Sequence, residues 1–172
     1  GKHVFVEKPL ALEVADAERL AVQAREAGLT LMVGHLLQYH PAFVRLLERV
    51  QAGEIGELRH VTSNRLKPGA IRTEENALWS MAPHDFSMVL ALAGSEPETV
   101  EALAVRVIDP SVPDVYSVQL RFKAMTALVR ASWLSPFKEH KLVALGTTGA
   151  LVFEDTAADP ARKLVIYRDY ID

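Results

Sequence analysis

The feature that most constrains this chain is the pair of short apolar runs bracketing a helical stretch at its start. Residues 3–6 carry two valines and a phenylalanine, a composition suited to a strand buried on both faces. Glu7-Lys8-Pro9 closes that run, because proline has no N–H for a ladder and holds Lys8 extended. Residues 10–27 read as a helix. Val14, Ala17, Ala21 and Ala24 form its apolar stripe with Leu20 beside it, and Gly28 suits the C-terminal cap. Residues 29–35 form a second apolar strand. Strand, helix and strand together predict a βαβ unit with parallel strands and a right-handed crossover. A lysine leaving the carboxyl end of such a strand points to the crevice where open α/β sheets bind ligands. Taken alone, a lysine there is more often a solvated surface residue.

One such unit is not a domain, and the chain opens on Gly1 without a methionine. The expectation is a stretch cut from a longer protein. Pro41 suits the first turn of a second helix, with Phe43, Leu46, Leu47 and Val50 at helical spacing and Gly53 at its end. Residues 57–66 read as a strand with a polar face. Lys67-Pro-Gly-Ala70 breaks it, and an irregular polar loop is expected over 71–80. A third helix is expected over 83–93, stopped by Gly94. From Thr99 the pattern turns to strands. Tyr116, Val118, Leu120 and Phe122 alternate with polar residues, and a hairpin partner follows at 126–134. Residues 141–145 and 150–154 flank Gly146-Thr-Thr-Gly149, a second hairpin, and 163–167 is strand-like. The predicted fold class is α/β (α+β): a βαβ unit followed by a large, mostly antiparallel open sheet covered by helices on one face. The boundary is placed between residues 1–37 and 38–172.

Composition narrows function by exclusion. The net charge of −3 offers no surface for nucleic acid, and the absence of cysteine excludes disulfides, thiolate metal sites and a cysteine nucleophile. No apolar run approaches the roughly 18 residues of a bilayer span, and no signal peptide is visible. A soluble, cytoplasmic protein without nucleic-acid or membrane partners is expected.

Three polar clusters stand at element ends: Glu7-Lys8-Pro9, the segment 34–41 with His35, Gln38, Tyr39 and His40, and the segment 76–85 with Trp79, His84 and Asp85. His84 falls in the first turn of the third helix, where the helix dipole disfavours imidazolium, while the carboxylate of Asp85 favours it. A neutral histidine is what a general base near pH 7 must be. An N-terminal capping role for the pair is the competing account. A metal site from His35, His40 and His84 matches no strong zinc spacing, so none is expected.

Gly1-Lys-His-Val-Phe-Val-Glu-Lys-Pro-Leu-Ala11 resembles the Glu-Lys-Pro segment of the Gfo/Idh/MocA family of NAD(P)-dependent oxidoreductases. Val33-Gly-His35 through Tyr39-His-Pro-Ala42, Ala52-Gly-Glu-Ile-Gly-Glu57, Leu78-Trp-Ser-Met-Ala-Pro-His-Asp85 and Gly146-Thr-Thr-Gly-Ala150 resemble the same family in the same order. The resemblance implies the end of a Rossmann domain followed by an α/β substrate domain. The glycine-rich turn that holds the dinucleotide would lie upstream of Gly1, so this stretch alone is not expected to turn over.

By the same resemblance the cofactor is NAD or NADP. Lys8 is similar to the lysine that reaches the nicotinamide and the substrate hydroxyl, with Glu7 and Pro9 beside it at the cofactor. His84 is similar to the histidine serving as acid/base in hydride transfer to or from a secondary alcohol. A common family pattern places an aspartate four residues before that histidine, and here Ser80 stands there, which puts a Lys-Asp-His triad in doubt. Gln38, Tyr39, Arg65, Arg72, Trp79 and Asp85 are the candidates to hold a sugar-like substrate, although the arginines could equally be solvated charge. The uncovered sheet face predicts a homo-oligomer. A non-catalytic oligomerisation or binding module of the same fold is the alternative, and a metal-dependent lyase or isomerase a second.

Overall fold

The His3 ring ties the start of the chain to the residue that precedes its second strand, its Nδ1 accepting the Thr30 N–H at 2.9 Å. A computed structural model of the protein describes residues 1–69, 71, 72 and 75–168. The chain divides into two units, Gly1–Leu36 and Leu37–Asp172.

In the first unit, β1 (Val4–Val6) and β2 (Leu31–Val33) are parallel, with Val4 opposite Leu31 and Val6 opposite Val33. Helix α1 (Val14–Glu26) is the crossover. It begins at Val14, the first residue of the apolar stripe, and not at residue 10: Glu13 holds extended backbone as the N-cap, and Leu12 and Val14 are each 73% exposed. Ala17, Ala21 and Ala24 are half-buried. Nor is β1 buried on both faces. Val4 and Phe5 stay exposed, because among the described residues only β2 pairs with β1. The Lys8–Pro9 peptide bond is cis.

A 3-10 helix (Leu36–Tyr39), whose first residue ends the first unit, leads into α2 (Pro41–Gln51) of the second. His40 caps α2, its Nδ1 accepting the Ala42 N–H at 3.2 Å, and Pro41 takes the first helical position. There follow β3 (Leu58–Pro68), α3 (Ala77–Met81), α4 (Pro83–Ala93), β4 (Thr99–Val105) and β5 (Val115–Arg121). The chain continues through β6 (Thr126–Ser132), β7 (Leu134–Gly146), β8 (Gly149–Glu154) and β9 (Leu164–Arg168). The sheet runs in the order β4-β5-β6-β3-β7-β8-β9. Both expected hairpins, β5–β6 and β7–β8, are antiparallel. Strand β3 inserts between them, antiparallel to β7 but parallel to β6.

The mixed α/β class and the open, mostly antiparallel sheet are therefore present. On its covered face Val61, Val129, Leu142, Ala144 and Phe153 pack with Phe43 and Leu46 of α2 and Met88 and Val89 of α4, all but fully buried.

Three local expectations are corrected. The loop predicted over 71–80 contains α3, which Asn76 nucleates by accepting the Trp79 N–H on its side-chain oxygen at 3.1 Å. Ala70, Thr73 and Glu74 of the predicted break and loop lie outside the described residues, as does the tail 169–172. The strand predicted over 126–134 ends at Ser132, where Trp133 leaves the ladder and turns its indole onto Asp114. The strand predicted over 141–145 starts at Leu134, since β3 is long enough to pair with its polar first half.

Candidate functional site

In the first unit, parallel β1 and β2 bring Glu7-Lys8 and Gly34-His35 off the same carboxyl edge. A Cβ on Gly34 would stand 3.3 Å from a carboxylate oxygen of Glu7 and 3.4 Å from the Phe5 ring, so the close approach of these two strand ends suits glycine. Burial, and after it the positive charge of Lys8, lower the His35 pKa below its ordinary value. That edge thus holds a neutral imidazole within the field of a lysine ammonium.

In the second unit, Pro83 opens α4, so His84 and Asp85 are the second and third helical residues. An aspartate there is usually a solvent-facing partner of the helix dipole. Here it turns inward and is 1% exposed. Its carboxylate accepts from the Ser63 hydroxyl at 2.6 Å and from Nε of Arg65, with Nη2 of Arg65 at 3.5 Å. Arg65 is itself 8% exposed, not a solvated strand charge, because Val61, Ser63 and Arg65 share the covered face of β3. Arg65 and Asp85, expected among substrate ligands, are turned on each other beneath the helix that carries His84.

Two further bonds act on that helix turn. The Ser87 hydroxyl donates to the His84 carbonyl at 2.7 Å, and the Gln38 side-chain amide donates to the Ser87 carbonyl at 2.6 Å. Gln38 is thereby brought to the start of α4. Trp79, 43% exposed, and Ser80 stand on α3, whose last residue is joined to α4 through Ala82 alone. Tyr39 is 66% exposed, and Arg72 pairs at the surface with Glu75 three residues on.

Sequence reasoning did not anticipate His140. Its Nδ1 lies 3.4 Å from Nη1 of Arg65, so the guanidinium joins the two side chains. Burial first, then the charges of Arg65 and Lys138, lower the His140 pKa to about 4. The available signal was the two-residue period running back from Leu142 and Ala144 to position 140, but no apolar residue marks it there. Among the described residues no three histidine, aspartate or glutamate side chains gather as ligands for a metal ion. No helix among them is long and apolar enough to cross a membrane.

A parallel βαβ unit followed by an open, helix-covered sheet defines a two-unit α/β protein whose first part has the topology of a nucleotide-binding fold. Residues 1–35 match the oxidoreductase family with an NAD-binding Rossmann fold, and residues 43–152 match the GFO/IDH/MocA C-terminal domain. The chain belongs to the Gfo/Idh/MocA family of oxidoreductases.

It is 33% identical over 133 residues to a myo-inositol 2-dehydrogenase of Thermotoga maritima, covering 72% of this chain and 40% of that one. It is 34% identical over 109 residues to a UDP-N-acetylglucosamine 3-dehydrogenase of Acidithiobacillus ferrooxidans, covering 63% of this chain and 34% of the relative. A crystal structure of the latter enzyme superposes with a TM-score of 0.82 at 25% identity, over 96% of this chain and 53% of that one. The sequence matches thus cover 40% and 34% of these two relatives, and the superposition about half of the solved chain.

Proposed function

We propose that the whole protein is an NAD(P)-dependent oxidoreductase acting on a secondary alcohol of a sugar, polyol or sugar derivative. The observation that carries this reading is the succession, in one chain, of an NAD-binding Rossmann match and a Gfo/Idh/MocA C-terminal match. Relatives that act on an inositol and on a nucleotide sugar support the substrate class.

The residues present suit a dinucleotide. The carboxyl edge of β1 and β2 is open enough to leave Glu7 exposed, and is kept free of a side chain at Gly34. Glu7, Lys8 and Pro9 would line the nicotinamide end, and the bound nicotinamide supplies the hydride acceptor or donor. The Lys8 ammonium holds the reacting oxygen and stabilises its developing negative charge. The His84 imidazole takes the hydroxyl proton during oxidation and returns it during reduction. Gln38, Tyr39, Arg72 and Trp79 are assigned to the remaining polar groups of the substrate. With Ser80 in place of a carboxylate, His84 works without a charged partner from that position. The 172-residue stretch contains no Gly-x-Gly-x-x-Gly turn and is proposed to be inactive by itself. The outer face of the sheet, which exposes Leu103 and Val105 on β4, is assigned to self-association.

The test follows reduced-nicotinamide absorbance in the whole protein, with NAD+ or NADP+ and with myo-inositol or UDP-N-acetylglucosamine. Turnover that collapses in Lys8→Ala and in His84→Ala supports the reading. Turnover retained in both removes these residues from the mechanism.

A further inference from the structure

We infer that the buried Arg65–Asp85 pair is a positioning device for His84, setting the rotation of α4 about its own axis and thus the direction of the imidazole. This deepens the proposed function and rests on His84 being its acid/base.

Helix α4 needs such a device because its apolar residues do not define a single face. Phe86, Met88, Val89, Leu90, Ala91, Leu92 and Ala93 surround the axis, so hydrophobic packing alone specifies rotation poorly. The directional contacts lie at its first turn. Asp85 accepts from Ser63 and Arg65, two side chains on one face of a strand hydrogen-bonded along both edges, which is among the least deformable supports in the unit. The remaining guanidinium nitrogen faces the neutral ring of His140, which brings no second positive charge against Arg65.

Adjacent helical side chains are set about 100° apart, so pinning Asp85 fixes the bearing of His84. A rotation of about 20° would swing a group some 6 Å from the axis by about 2 Å. Misplacement by about 1 Å can cost on the order of 100-fold in rate. A pair kept only for stability has no such requirement, because buried ion pairs can often be replaced by apolar residues of similar volume at no loss.

That difference makes the test. The whole protein is prepared as wild type, as His84→Ala, as the double variant Arg65→Met/Asp85→Leu, and as Arg65→Lys, which keeps the charge but loses the planar fork. Activity is read with NAD+ and NADP+ against myo-inositol and UDP-N-acetylglucosamine. Ring resonances of His84 are assigned by their loss in His84→Ala. The positioning role predicts that the folded double variant loses about 10- to 100-fold in kcat with KM within about two-fold, and that its His84 resonances move. Arg65→Lys shows the same signature at smaller amplitude and decides the matter if the double variant does not fold. A folded variant with wild-type kcat and unmoved His84 resonances overturns the positioning role while leaving the functional reading intact. A wild type without turnover on every probe, or a His84→Ala variant as active as wild type, overturns the functional reading and this inference with it.

Discussion

Nη1 of Arg65 lies 3.4 Å from Nδ1 of His140, a contact that suits the imidazole only while it is neutral. The folded protein holds the His140 pKa at about 4, against an ordinary value of 6.5. Between those values the unfolded chain binds the proton more readily than the native one, so the His140 contribution to stability falls as pH drops from about 6.5 toward 4 and changes no further below. Calorimetric midpoints at pH 7 and pH 5 should show this loss, and His140→Asn should show less of it. The His140 ring resonances should not titrate between pH 8 and pH 5.5.

Removing one member of the Arg65–Asp85 pair leaves a buried charge without its partner. Asp85→Ala is expected to cost about 3–5 kcal/mol in urea unfolding, against a far smaller loss for Arg65→Met/Asp85→Leu. Equal losses in the single and double variants would show that the two charges are not coupled.

The carboxylate of Asp114, 1% exposed, accepts from the backbone N–H groups of Val107 and Ile108 at 2.8 and 3.0 Å and from the Trp133 indole at 2.6 Å. Burial alone would raise its pKa, but these donors outweigh it and hold it below the ordinary carboxylate value. Its stabilising contribution is therefore complete above the unfolded carboxylate pKa and is lost as pH falls through the lower folded value. Asp114→Ala orphans these donors and should cost about 3 kcal/mol or more, whereas Trp133→Phe should cost less through this carboxylate because two donors remain. Tryptophan fluorescence against denaturant would rank the two.

Two glycines separate steric need from backbone need. A Cβ on Gly146 would lie 2.0 Å from the Ile55 carbonyl oxygen, a backbone atom that cannot swing aside. Gly53, at φ +75°, has nothing within 4 Å of its would-be Cβ. Gly53→Ala is expected to cost about 1–2 kcal/mol of left-handed strain. Gly146→Ala should cost about 3 kcal/mol or fail to fold. Comparable midpoints for both variants would contradict the packing seen at Ile55.

In the whole protein, His84→Ala is expected to lower kcat by about 10²–10⁴-fold, the usual range for a lost acid/base. Added imidazole should restore part of the loss if the missing group is a proton carrier. Lys8→Ala should lower kcat by about 10²–10³-fold, as for a lost oxyanion donor, with no rescue by imidazole.

What could be read from the chain was what neighbouring residues decide among themselves. The βαβ unit, α4 from Pro83 to Gly94, and the two hairpins follow from periodicity, proline and glycine placement, and short connections, each acting over a few residues. Even there, α3 hid behind a polar segment, because the one cue was the Asn76 cap before Ala77-Leu78-Trp79.

The position of β3 between β6 and β7, and its parallel alignment with β6, join segments more than 60 residues apart. Only the competition for the centre of the sheet settles that. The same holds for Arg65 and Asp85. Their residue types announce charge, and charge is ordinarily solvated, so local reasoning sends them outward to solvent or substrate. Burial became favourable only when the sheet set Ser63 and Arg65 beneath the first turn of α4, where each desolvated group meets its complement.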